Sequence, residues 1–344
     1  MKGTSSIFYT IREIIVLTRL QFIGTSVISL IGALTVKGAD ISFKDALILF
    51  TLVALLNIFG HIINDILDVN IDKRSKELKE RPLVKGTISI KLALYIHIFT
   101  IFLFFIIAIY FYPNILALII LVIAIIFGYL YNIFSKKLPG ADLFLSVTMS
   151  FLCLFGAMVV TKDFVNLNQI NLITWIVVGI SFIHVFTLDA LGGGLKDAKN
   201  DKEAGAKTIA VVLGVRANKN LFIPLSYKII ILTCEALTAF LVIYAIIKTD
   251  AVNSYLHIGF LIFLIFLLFI SSLKMLSIKV FDRKKIMYFN RYHEIAGFAL
   301  VPVLLFESIG ILWILFLVTL PILWFIIVNK IMYNESWFKP KSFG

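Results

Sequence analysis

The sequence predicts an all-α protein, a polytopic bundle of nine or ten transmembrane helices. Composition is the first observation: of 344 residues, 60% are hydrophobic and only 15% charged, with a mean hydropathy of +1.01. Soluble domains carry about 25% charged residues. The second is arrangement, because the apolar residues fall into repeated runs of about 20, enough to cross a hydrocarbon core of ~30 Å. Such runs span as helices, which satisfy their own backbone groups. Helices in a bilayer pack together, so residues 1–344 are read as one domain.

Residues 1–13 are a polar lead with Lys2 and Arg12, and the first span follows from about residue 14 to 36, with Arg19 just inside it. The second covers about 46–69. The third (91–112) and fourth (114–134) are divided by Pro113-Asn114, a turn signal. The fifth lies near 142–161, the sixth near 171–195, the seventh near 221–247 and the eighth near 255–276. A last apolar stretch, 294–332, exceeds one crossing and has a natural break at Glu307, Ser308 and Gly310. Two crossings there give ten spans; one long or re-entrant element gives nine.

The net charge of +12 does not mark a nucleic-acid binder, since the basic residues occupy short loops between apolar runs. The loops after even-numbered spans carry Lys73, Arg74, Lys76, Lys79, Arg81 and Lys85, then Lys136 and Lys137, then Lys196 to Lys219, then Lys279 to Arg291. The opposite side holds little beyond Lys37, Lys44, Lys162 and Lys248. The even-numbered ends are therefore expected to face the cytoplasm, and Lys339 and Lys341 would join them with ten spans. The basic 73–85 loop also suits anionic lipid heads. Cys153 and Cys234 lie inside apolar runs, with neither a disulfide framework nor Cys/His metal spacing. No small-residue cleavage pattern follows a short apolar core, so the first span is expected to remain.

The second span ends in Asn64-Asp65-Ile66-Leu67-Asp68-Val69-Asn70-Ile71-Asp72. Asn64, Asp68 and Asp72 are four apart and stack along one helix face. One carboxylate at a helix end merely decorates it; several oxygen ligands on one face at a membrane boundary point to function. Carboxylate and amide oxygens suit Mg²⁺, which binds through one or two carboxylates plus substrate phosphates. The sixth span ends similarly, with Asp197 and Asp201 again four apart, followed by Lys202-Glu203-Ala204-Gly205-Ala206-Lys207-Thr208. Spans two and six share parity, so both acidic ends are expected on the cytoplasmic side. Two such clusters facing each other would bind two Mg²⁺ ions and a diphosphate between them.

These two stretches resemble the signatures of the UbiA superfamily of intramembrane prenyltransferases. NDxxDxxxD followed by RPL-x-x-G is matched by Asn64, Asp65, Asp68, Asp72, Arg81, Pro82, Leu83 and Gly86, and the second signature by Asp197, Asp201, Gly205 and Thr208. The resemblance covers about 14–308, leaving 309–344 as an extra C-terminal segment. It departs at Arg19-Leu20-Gln21-Phe22-Ile23, which lacks the usual Pro, and at Tyr131, where the family's Tyr-x-x-x-Lys would need Lys at 135 rather than 136. Gly192-Gly193-Gly194 serves either close helix packing or backbone approach to a ligand.

The resemblance implies Mg²⁺-dependent transfer of a prenyl group from a polyprenyl diphosphate to an aromatic or glyceryl phosphate lipid acceptor. An archaeal-type digeranylgeranylglyceryl phosphate synthase is the narrower alternative. It implies metal ligands among Asn64, Asp65, Asp68, Asp72, Asp197 and Asp201, and diphosphate contacts from Arg19, Lys136, Lys137 and Lys196. Asp189, inside the sixth span, is a candidate for binding or deprotonating the acceptor; His61 and His184 either contact it or pack. Glu235 and Glu307 suit interhelical hydrogen bonds, and Arg81 suits loop anchoring more than chemistry. The rival class, a transporter using buried acids, predicts charges near the bilayer midplane, whereas most acids here fall at helix ends.

Overall fold

The structure, a computed structural model, describes residues 2–39, 41–73, 78–161 and 163–333. Helix α1 (Lys2–Leu17) meets a 3-10 helix (Leu20–Thr25), and α2 (Ile28–Leu34) completes the first apolar stretch. Then come α3 (Phe43–Asp72), the single turn α4 (Pro82–Lys85), α5 (Ile90–Phe111), α6 (Ile115–Phe134) and α7 (Asp142–Val160). Helix α8 (Leu172–Thr187) continues through a π-helical segment (Leu188–Gly193) into α9 (Gly194–Glu203). The short α10 (Ile209–Val212) and a small antiparallel hairpin, β1 (Arg216–Ala217) with β2 (Leu221–Phe222), lead to α11 (Leu225–Lys248). The described part ends with α12 (Tyr255–Leu276), α13 (Arg283–Leu304) and α14 (Phe306–Tyr333).

Among the described residues, eight helices are long and apolar enough to cross a membrane, or nine if the bent pair Tyr9–Leu17 and Leu20–Leu34 is one span. The protein is thus an all-α integral membrane bundle with a minor hairpin. Asn114 caps α6 as the Pro113-Asn114 turn requires: its side chain accepts from Leu116 N and Ala117 N at 3.0 and 3.1 Å. Arg74, Lys76, Lys162, Lys339 and Lys341, used to orient the spans, lie outside the described residues.

Two elements differ from the sequence expectation. The first span is broken: Arg19 adopts a left-handed conformation (φ 48°, ψ 49°) and the two pieces bend by 43°. Near the C-terminus the apolar stretch divides at Leu305 and kinks again at Gly310 (φ 75°, ψ 169°), where a break was expected, but α13 begins at Arg283 rather than at residue 294. Its cap explains this, because the Asp282 side chain accepts from Lys285 N at 3.1 Å and starts a helix in polar sequence that an apolar reading passes over. That charged first half keeps α13, though 22 residues long, outside the apolar spans.

The chain forms two compact units. The first comprises Met1–Val27, Phe43–Pro113 and Thr319–Gly344. Its core brings Leu17, Ile62, Val69, Leu83, Ile88 and Ala93 together from α1, α3, α4, α5 and the turn between the last two. The break at Arg19 is buttressed by the end of α14: Trp324 Nε1 donates to Leu20 O at 2.7 Å, and Phe325 packs on Phe22. Gly24 gives the space, since a Cβ there would lie 2.8 Å from Trp324 Cβ.

The second unit comprises Ile28–Ser42 and Asn114–Val318. Helices α2 and α7 cross at backbone distance, because a Cβ on Gly32 would overlap the Cys153 carbonyl and one on Gly156 the Ser29 carbonyl. Ser29 Oγ donates to Leu152 O at 2.8 Å across this contact. Leu195, Ala198, Tyr227, Met275 and Ile286 join α9, α11, α12 and α13 in one buried cluster.

Candidate active site

In the first unit, α3 carries the first acidic motif on its last turns. The RPLVKG segment folds back onto it for local reasons. Pro82 takes the N1 position of α4, where its missing N–H costs nothing, and Gly86 (φ 78°) closes the turn in the left-handed region. This returns Arg81 to α3, where its Nη1 donates to Asp72 Oδ2 at 2.6 Å and to Asp65 Oδ1 at 3.3 Å. Arg19 donates to the same Asp65 oxygen. Asp65 and Asp72 are only 4% and 6% exposed, so two guanidinium groups hold two buried carboxylates that would otherwise repel one another. Asn64 and Asp68 are half-buried on the same helix. His61, one turn earlier, packs its ring on Phe22 at 5.6 Å.

In the second unit, the second acidic motif lies on α9. Arg283 Nη2, from the start of α13, donates to Asp197 Oδ1 at 3.3 Å, and Lys196 Nζ lies 3.9 Å from Asp197 Oδ2. Lys136 Nζ donates to Asp201 Oδ1 at 2.6 Å. The backbone sets up this last pair: Gly205 (φ 72°) turns the chain after α9, and Lys207 N bonds Lys136 O at 2.9 Å. Lys136 therefore reaches the acidic motif although it stands one residue beyond the family position. Lys137 is exposed.

The three glycines do not break the sixth span. Gly192 and Gly193 close the π-helical segment, a geometry frequent at functional sites, and Gly194 opens α9. Gly192 gives room to the Asn290 amide, which a Cβ would overlap. Asp189, on the same segment, shares a hydrogen bond with Asp142 at the start of α7. His184 stacks on His293 (centroids 5.5 Å apart, 20° between planes). Glu235 is buried and bonded as an interhelical group: Ser272 Oγ and His293 Nε2 each lie 2.7 Å from its Oε1. Glu307 lies 3.7 Å from His257.

Among the described residues, no three His, Cys, Asp or Glu side chains converge as a closed metal cage. The donors present suit magnesium nonetheless, which takes one or two carboxylates and fills the rest of its shell with water and phosphate oxygens. Sequence reasoning missed Arg81 as a carboxylate clamp, along with Arg283, Asp142, Asn290 and His293. Arg81 had a local signal, since it sits inside the RPLVKG motif itself. The others are brought in from distant helices and had none.

A model of the UbiA prenyltransferase family matches residues 25–291. The 4-hydroxybenzoate octaprenyltransferase of Francisella tularensis subsp. novicida is 30% identical over 178 residues, covering 51% of this chain and 58% of that one. The matched stretch thus spans somewhat over half of that relative's length. The enzyme of the same description from Vesicomyosocius okutanii is 28% identical over 239 residues, covering 62% of this chain and 81% of its own. Among solved structures, one of digeranylgeranylglyceryl phosphate synthase has a TM-score of 0.65 at 20% identity, covering 88% of this chain and 99% of that one. A UbiA homologue from Archaeoglobus fulgidus bound to GPP and Mg²⁺ has a TM-score of 0.60 at 19% identity, covering 84% and 99%. These likenesses support the fold and lend nothing to the transporter alternative. The chain belongs to the UbiA prenyltransferase family.

Proposed function

We propose that the protein is a magnesium-dependent prenyltransferase. It moves the prenyl chain of a polyprenyl diphosphate to a small acceptor, an aromatic acid or a glyceryl phosphate lipid, and releases diphosphate. The observation that carries this is the mixture of carboxylates and cations at each acidic motif. Asp65 and Asp72 stand with Arg19 and Arg81; Asp197 and Asp201 stand with Arg283, Lys196 and Lys136. A metal diphosphate needs both kinds of group, carboxylates for the metal and cations for phosphate oxygens.

In this reading Asn64, Asp65, Asp68, Asp72, Asp197 and Asp201 supply the magnesium ligands. Magnesium held by these residues would neutralise the diphosphate and improve it as a leaving group. Arg19, Lys136, Lys137 and Lys196 grip the outer oxygens, joined by Arg81 and Arg283. Loss of diphosphate leaves an allylic cation, the acceptor attacks it, and the proton the acceptor sheds passes to Asp189. His61 and His184 contact the acceptor. The site opens on the cytoplasmic side, as the basic loops suggest.

The test is to incubate the detergent-purified protein with radiolabelled geranylgeranyl diphosphate, Mg²⁺ and a panel of acceptors. The panel holds 4-hydroxybenzoate, dihydroxynaphthoate and geranylgeranylglyceryl phosphate. One labelled product, abolished by chelator and by Asp68→Ala or Asp197→Ala, is the expected result. Product that survives both substitutions would remove the two-motif mechanism.

A further inference from the structure

The β1–β2 hairpin of the second unit has two unlike faces. Ala217, Leu221 and Ile223 are buried, in one cluster with Leu195 and Ala198 of α9. Arg216 and Phe222 stand on the other face, directly opposite each other in the antiparallel register, and Phe222 is 59% exposed. Residues 279–281 run beside the hairpin. Leu221 N bonds Lys279 O at 2.7 Å, Phe281 N bonds Lys219 O at 3.2 Å, and Val280, 61% exposed, pairs with Asn220. These backbone bonds gather exposed Phe222 and Val280 with exposed Arg216, Lys219 and Lys279 on one small surface.

Position and charge say what such a surface meets. Phe222 stands three residues before α11 and Val280 four residues after α12, and both helices are long and apolar enough to cross a membrane. At ~3.3 Å per extended residue the two side chains lie within ~13 Å of the helix ends, close to the headgroup layer that borders the hydrocarbon core. Exposed Leu225 and Ile229 continue the apolar surface along one face of α11. Ile229 then opens a shallow apolar hollow whose lining includes Leu232, Ala236 and Phe240. The charge around it has one sign. From Ala204 to Cys234 the chain holds Lys207, Arg216, Lys219 and Lys228 and no acid; from Ala251 to Phe281 it holds Lys274 and Lys279 and no acid. The next acid, Asp282, caps α13.

We infer that the outer face of this hairpin docks on anionic phospholipid. The lipid phosphate meets Arg216, Lys219 and Lys279, and the acyl chain lies along Leu225 and Ile229 towards the hollow on α11. Basic clusters next to a membrane span bind anionic lipid in this way. A soluble anion would engage the cations and leave Phe222 and Val280 in water. Because the inner face packs on α9, a lipid held here braces the helix that carries Asp197 and Asp201. The inference stands whether or not the protein transfers prenyl groups.

The test uses the full chain in detergent, without substrate. Phosphatidylglycerol, phosphatidylcholine and glycerol phosphate are added in turn, and the midpoint of thermal unfolding is followed. Phosphatidylglycerol is expected to raise the midpoint by about 2 °C or more beyond phosphatidylcholine, and glycerol phosphate to leave it in place. In the combined variant Arg216→Gln, Lys219→Gln, Lys279→Gln, the phosphatidylglycerol needed for half the shift is expected to rise roughly 100-fold, from about fivefold per charge. Phe222→Ser, a second variant in case the first misfolds, is expected to raise it about tenfold. Lys79→Gln with Lys85→Gln, cations of the first unit, is expected to leave it unchanged. The two phospholipids acting alike would overturn the inference, as would an undiminished shift in either hairpin variant. An equal loss from the Lys79 and Lys85 pair would reduce the effect to net charge, and a shift reproduced by glycerol phosphate would make the surface a site for free phosphate; each result also overturns it.

Discussion

The two acidic motifs share a residue pattern but are built differently. The first is the end of one continuous 30-residue helix, α3, and the loop that follows it in sequence supplies its main clamp, Arg81. The second is assembled from afar. Its lysine comes from the turn after α6, its arginine from the start of α13, and its helix is wound through a π-helical segment. Arg81 is 19% exposed and cross-links two buried carboxylates, whereas Lys136 is 33% exposed and holds one. The first motif is braced as structure; the second is held by the partly solvated ammonium groups of Lys136 and Lys196 and one longer arginine contact.

That contrast should vanish in the chemistry, where the motifs are expected to be equal. Asp68→Ala and Asp197→Ala are each expected to lower the rate of labelled product formation by about 10³-fold. A large loss from one substitution alone would assign the metal to a single motif. Stability should separate the two. Arg81→Ala leaves buried Asp72 without its ion pair and Asp65 with Arg19 alone, and is expected to cost about 3 kcal/mol, read from denaturant unfolding in detergent. Lys136→Ala should cost less, about 1–2 kcal/mol, because its ammonium is one-third exposed and it uncovers one buried carboxylate, Asp201, rather than two.

The winding of the second motif gives a smaller effect. Gly192→Ala drives a methyl into Asn290 and is expected to cost about 2 kcal/mol; an unchanged protein would show that the contact relaxes freely. The smallest effect is kinetic. Lys136→Met should raise KM for the prenyl diphosphate about tenfold, the worth of one charge-assisted hydrogen bond, with kcat changed less. A fall in kcat at constant KM would instead place Lys136 on the leaving group in the transition state.

The same contrast explains what the sequence revealed. Asn64, Asp65, Asp68, Asp72 and Arg81 lie within 18 residues of each other, so spacing and turn chemistry expose them. Runs of apolar residues likewise announce most of the spans. The break at Arg19 was hidden, because nothing local demands a left-handed arginine; its support comes from Trp324 and Asp65, far along the chain. Arg283, Asn290 and His293 were hidden for the same reason, on a helix whose charged start masks it among loops. Contacts made by tertiary packing leave no periodic trace.

The division of the chain into units has a consequence for how the protein is made. The first unit needs residues from both ends, and its Leu20 carbonyl finds its donor on Trp324. The second unit is drawn mostly from one uninterrupted run, Asn114–Val318. Chains emerge N-terminus first and fold as their parts become available. During synthesis the second acidic motif can therefore reach its final surroundings first. The Arg19 turn beside the earlier motif must wait for α14, so a chain cut short after residue 318 would lack Trp324 and keep that turn unlatched.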